Sequence, residues 1–70
     1  QYAFARILGD TAVVVAVNND EAPARMDIPC PVAADRVHEI LTDKSLPTEN
    51  GRIQLEIPAG GSAVFKIVQE

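Results

Sequence analysis

The chain has almost none of the residues that small proteins use for cross-links or catalysis. Its 70 residues include no tryptophan, one cysteine, one histidine, one tyrosine and two phenylalanines. A single cysteine, Cys30, forbids an internal disulfide and leaves no ligand set for a Cys/His metal cage. A single histidine, His38, removes the common two-histidine metal sites. Positive charge is also scarce, with six Lys+Arg against ten Asp+Glu and a net charge of −4. There is thus no basic footprint for phosphate backbones or anionic membranes, and neither nucleic acid nor membrane is expected as a partner. The longest apolar run, Ala12 to Val17, is far too short to cross a bilayer. The chain opens on Gln1 and a strand-like segment, with no signal-peptide pattern. One cysteine leaves the redox compartment open, with cytoplasmic slightly favoured over secreted.

What is present is the composition of a folded domain, 47% hydrophobic and 23% charged, with apolar residues spread along the chain. A domain near this length buries only about 60% of the surface its unfolded chain exposes. Chains so small lean on disulfides, a metal or a partner surface. The first two are absent here, so a partner surface is the expectation.

Turn signals and alternation divide residues 1–70 into strands of a single domain. Tyr2 to Leu8 (YAFARIL) is cut off by Gly9-Asp10 at a length too short for a typical helix. As a strand it places Tyr2, Phe4, Arg6 and Leu8 on one face, with Ala3, Ala5 and Ile7 on the other. Residues 11–18 (TAVVVAVN) are rich in stiff β-branched side chains and form a hairpin with the first strand. Both of its faces are apolar, which predicts a central strand covered on both sides. Residues 23–29 (PARMDIP) alternate, with Ala24, Met26 and Ile28 inward, and a proline brackets each end. Arg36 to Thr42 fits either a bulged strand or a short helix. Asn50-Gly51 is a strong hairpin signal, because both residues tolerate positive φ. Arg52 to Ile57 alternates behind it, and Ser62 to Val68 closes the chain with Ala63, Phe65 and Ile67 inward. These are six strands, or seven if Leu46-Pro47-Thr48 pairs across the Asn-Gly turn. Their spacing predicts an all-β fold, a small antiparallel β-sandwich with Greek-key character.

Few residues suggest chemistry. His38 lies near Asp35, Glu39 and Asp43 in the chain, but no nucleophile motif accompanies it, and a surface histidine is the simpler reading. Cys30, between Pro29 and Pro31, has no neighbouring base to activate it. The carboxylates fall mostly in turns or on polar faces, where solvation is their ordinary role. Neither a calcium loop nor a phosphate cradle is present. No catalytic residue, metal site or cofactor is therefore expected. Tyr2 and Phe4 could form a sugar platform or a docking patch, although aromatics at such spacing more often pack in a core or an interface.

The order of the pieces carries further meaning. YAFARILGDTAVVVAVNND, a proline-bracketed strand, RVHEILTD and ENGRIQLEIPAGGSAVFKI together resemble the C-terminal β domain of α-amylase-family glycoside hydrolases. The similarity is to the cyclomaltodextrinase, neopullulanase and maltogenic amylase branch, and it spans essentially the whole chain. One departure is Pro58-Ala59-Gly60-Gly61, where the family often has Pro-Pro with an aromatic or glycine. The resemblance implies an accessory sandwich packed against a (β/α)₈ barrel that acts on α-glucans and carries three catalytic carboxylates. No catalytic residue transfers, because the barrel lies outside this sequence. The expected partner is that barrel, through a candidate docking face of Tyr2, Phe4, Arg6 and Leu8. Self-association of the bare chain is a further expectation. A free-standing carbohydrate-binding or protein-interaction module is the alternative.

Overall fold

Valine-rich and alternating segments become strands because β-branched side chains pack well on a pleated surface. The computed structural model describes residues 1–69. It contains β1 (Tyr2–Leu8), β2 (Thr11–Val17), β3 (Ala24–Pro29), β4 (Arg36–Glu39), β5 (Lys44–Pro47), β6 (Arg52–Ile57) and β7 (Ser62–Val68). A five-stranded sheet runs in the order β1-β2-β7-β4-β5 and faces a two-stranded sheet, β3-β6. All pairings are antiparallel. β7 returns across the sandwich to lie between β2 and β4, which gives the fold its Greek-key character.

Two tight turns fix the hairpin registers. Gly9 has φ 64° and closes the β1–β2 hairpin, where a positive φ at the first turn residue is what a type II′ turn needs. Asn50 and Gly51 have φ 53° and 72°, and Glu49 and Arg52 exchange both backbone hydrogen bonds at 2.9 and 3.0 Å. That is the geometry of a type I′ turn.

The core lies between the sheets. Period-two alternation sends Ala12, Val14 and Ala16 of β2 inward, with Ala63, Phe65 and Ile67 of β7 beside them. Met26, Ile28, Ile53 and Ile57 meet them from the smaller sheet. Phe65 and Ile53 are fully enclosed, and burial of side chains this size contributes roughly 1.5–3 kcal/mol each.

Three expectations are corrected. The strand expected over Arg36 to Thr42 ends at Glu39, and Ile40 to Asp43 form a turn, with Asp43 at φ 56°. Four loop residues let the chain reverse so that β5 can pair with β4, as an unbroken strand to Thr42 could not. Leu46 and Pro47 do not pair across the Asn-Gly turn, because β5 is engaged by β4, with Val37 opposite Leu46. Across that turn only the Glu49–Arg52 bridge forms, and Thr48 N–H donates instead to the Asp35 carbonyl at 2.8 Å. Finally, β2 is central but covered on one face only. Ala12, Val14 and Ala16 are buried, while Thr11, Val13, Val15 and Val17 stay half-buried. Two strands are too narrow a layer to cover more than one side of the larger sheet.

Candidate functional site

β1 is held along one edge, and among the described residues nothing covers it. It pairs with β2 from Tyr2–Val17 to Leu8–Thr11, and all seven of its residues are exposed. Directly opposed residues of neighbouring strands share a face. Tyr2, Phe4, Arg6 and Leu8 therefore lie beside Val13, Val15 and Val17 of β2 on the outer side of the sheet. β7 extends that side with Val64, Lys66 and Val68. Tyr2 is 54% exposed, Phe4 57%, Leu8 63% and Val68 54%, values foreign to core side chains. The Tyr2 and Phe4 rings stack at 6.5 Å between centroids and 15° between planes. Arg6 is the one charge that β1 contributes to this face. The core reading of Tyr2 and Phe4 is thereby excluded, and what remains is a largely apolar face with two cations, Arg6 and Lys66, on either side of Val13.

The inner side of β1 overhangs the smaller sheet. Ala3 and Ala5 face Met26 and Ile28 across an open groove of about 370 Å³ that reaches in to Val14. The small side chains of β1 leave the groove wide. A second groove, of about 240 Å³, runs on the opposite flank past Leu46, Leu55 and Glu39.

The candidate chemical groups do not assemble into a reactive centre. His38 Nε2 lies 3.0 Å from Asp43 Oδ1, and both side chains are well exposed. Ser45 stands opposite His38 in the β4–β5 ladder, yet its hydroxyl accepts a 2.8 Å hydrogen bond from Arg36 Nε. Cys30 is half-buried, with Sγ 3.0 Å from the Val32 carbonyl. Asp27 pairs with Arg52 at 2.8 Å on the surface of the smaller sheet. Among the described residues, no group of three or more His, Cys, Asp or Glu gathers as a metal site would require.

Two polar residues that the sequence reading passed over are buried. Asn18 is fully enclosed at the end of β2. Its Nδ2 donates to the carbonyls of Ala22, Ile57 and Pro58 at 3.0, 3.0 and 3.1 Å. Its Oδ1 accepts the Asp20 amide at 3.0 Å, and its own amide donates to Gly61 at 2.9 Å. Asn18 thus ties the five-stranded sheet to the end of β6. The signal was its place at the end of a valine strand, two residues before Asp20, which is the spacing of an Asx turn.

Glu39 is buried on the inner face of β4. Its Oε2 accepts the Val64 amide at 2.7 Å, and its Oε1 accepts the Thr42 amide and hydroxyl at 2.7 and 2.8 Å. The Ile40 amide in turn donates to the Val64 carbonyl at 2.7 Å, so the carboxylate stands in where the β4–β7 ladder has run out. Burial pushes the Glu39 pKa up. Hydrogen bonds from the Val64 amide, the Thr42 hydroxyl and amide, and the Leu41 amide outweigh it, and the net shift is downward. Once Val37 is placed inward, period two puts Glu39 on the same face.

These polar groups hold the fold together, and the distinctive surface is the apolar outer side. A family model described as the maltogenic amylase C-terminal domain matches residues 1–64. No curated protein matches the chain significantly. The match runs from the exposed strand β1 into the middle of β7, and the all-β sandwich agrees with it. The chain belongs to the maltogenic amylase C-terminal domain family, whose members are non-catalytic C-terminal domains of amylase-type enzymes.

Proposed function

We propose that this domain packs against the (β/α)₈ barrel of an α-amylase-family glycoside hydrolase acting on α-glucans, and stabilises it. The observation that carries this reading is the uncovered outer face of the five-stranded sheet, with Tyr2, Phe4 and Leu8 each more than half exposed. Contiguous apolar surface of that kind marks partner sites. Full burial of one such side chain contributes roughly 1.5–3 kcal/mol, so covering three that are half exposed supplies a few kcal/mol. Arg6, among them, would orient the contact toward an acidic or carbonyl-rich patch on the barrel. The domain's own role is mechanical: it shields part of the barrel and raises the cost of unfolding it.

The test is a Phe4→Asp/Leu8→Asp substitution in the enzyme that carries the domain. The barrel's thermal midpoint should fall, while the same changes in the isolated chain leave its own midpoint nearly unchanged, since both residues are already exposed. An unaltered barrel midpoint would remove the docking reading. If the isolated chain instead bound maltooligosaccharides and lost that binding on Tyr2→Ser/Phe4→Ser, the domain would be a carbohydrate-binding module.

A further inference from the structure

An edge strand presents a row of unpaired amides and carbonyls, and proteins usually blunt it with proline, charge, a bulge or shortness. This sandwich has four edges, and three are blunted. β5 is four residues long and includes Lys44 and Pro47. β3 ends on Pro29 and presents Arg25 and Asp27 outward. β6 carries Arg52 and Glu56. β1 differs from them all: seven residues, no proline, one charge and an unbroken register with β2.

The phase of the ladders shows which groups are free on β1. Asn18 N–H donates to Gly61 and Gln69 N–H to Asp10, which fixes the β2–β7 hydrogen bonds on the even-numbered residues of β2. The odd-numbered residues of β2 therefore bond to Tyr2, Phe4, Arg6 and Leu8, because antiparallel pairs alternate. The amides and carbonyls of Ala3, Ala5 and Ile7 point outward along the open edge.

We infer that this edge binds β1 of a second copy of the chain, antiparallel about a two-fold axis through Ala5. In that register Ala5 faces its symmetry mate and Ala3 faces Ile7, so every free residue of both edges is hydrogen-bonded. On the outer face Phe4 stands opposite Arg6 of the second copy, a non-hydrogen-bonded pair with Cα atoms about 4.5 Å apart, where side chains approach most closely. A guanidinium over an aromatic ring is attractive at that range. Tyr2 meets Leu8. No like charges are directly opposed. Centring the axis on Ala3 leaves Ile7 unpaired, and centring it on Ile7 leaves Ala3 unpaired and Phe4 without its cation. The match is self-complementary in one register, as a two-fold interface requires. It joins backbone edges and turns both outer faces the same way, so it leaves the outer faces open while sharing Phe4 and Arg6 with the proposed barrel contact.

Sedimentation of the chain across a concentration series, with two engineered probes, tests this. In a Cys30→Ser background, Ala5→Cys should form an intermolecular disulfide under mild oxidation. The symmetric pair places those Cα atoms about 5.5 Å apart, within disulfide range. Ala3→Cys, which faces Ile7, should not cross-link with itself. Ala5→Lys sets like charges directly opposite and should weaken the dimer by about tenfold or more. Residue 5 is exposed, so circular dichroism of the Ala5→Lys chain should be unchanged. A chain that stays monomeric at the highest concentration overturns the inference. So does a dimer indifferent to Ala5→Lys, or cross-linking equal at positions 3 and 5, since either places the contact elsewhere.

Discussion

Asn18 and Glu39 do with side chains what the backbone of a very short sandwich cannot do for itself. Asn18 satisfies three carbonyls and one amide where strands leave both sheets. Asn18→Leu keeps the volume but orphans those groups, at about 1–3 kcal/mol for each left buried without a partner. A fall in thermal midpoint of at least about 4–8 °C is expected, the shift that 1 kcal/mol produces in a domain this small. Glu39 makes stability depend on pH. Its folded pKa lies below its unfolded one, so its contribution is present above the ordinary glutamate range and is lost as pH falls through the lowered folded value. Glu39→Gln should be less stable at neutral pH, because its amide NH₂ would meet donors, and its stability should change less between neutral and acid. Parallel stability–pH curves for the two proteins would show that the carboxylate does not carry this dependence. Neither residue was legible as structural. Short polar side chains at strand ends read as loop, and a glutamate next to a histidine reads as surface.

Strands and turns were the legible part, and for a physical reason. The alternation of Arg52 to Ile57 and of Ser62 to Val68 commits each side chain to a face, so register and burial follow from the residues alone. Asn50-Gly51 was equally explicit, since few other dipeptides accept two positive φ angles in succession. Gly51→Val forces a β-branched residue to φ 72° and should cost about 1 kcal/mol or more, although nothing lies within 4 Å of the added Cβ. Denaturant titration checks this, and an unmoved midpoint would mean that the turn rebuilds without strain. β4 and β5 were hard to read because four residues hold barely two turns of the alternation. The partner of β5 is chosen by tertiary packing of Leu46 against the core, which no local pattern encodes.

For the molecule as a whole, two sheets of unequal width leave one side of the larger sheet uncovered. The valines of β2 promised burial on both faces, and composition alone cannot say whether a chain covers such a face itself or leaves it for a partner. That is why the candidate face was readable as a set of residues while its open state was not. In the monomer, the outward amides of Ala3, Ala5 and Ile7 should exchange with deuterium fastest among the strands, and those shared by β2 and β7 slowest. Uniform protection across β1 would contradict the edge assignment. The purified chain should also lack maltooligosaccharide hydrolysis, since a glycosidase needs two carboxyls held across one bond. Hydrolysis abolished by a single Asp or Glu change would refute this. The position of β7 has a last consequence, for synthesis. β7 is the final strand of this chain, yet it occupies the middle of the larger sheet, joining Thr11 to Val68 and Glu39 to Phe65. Until it leaves the ribosome, β2 and β4 have no common neighbour and Phe65 is missing from the core. The domain must therefore wait for β7 before it can fold, and a chain interrupted before Ser62 is left with two more unpaired edges, on β2 and β4, for quality control to recognise.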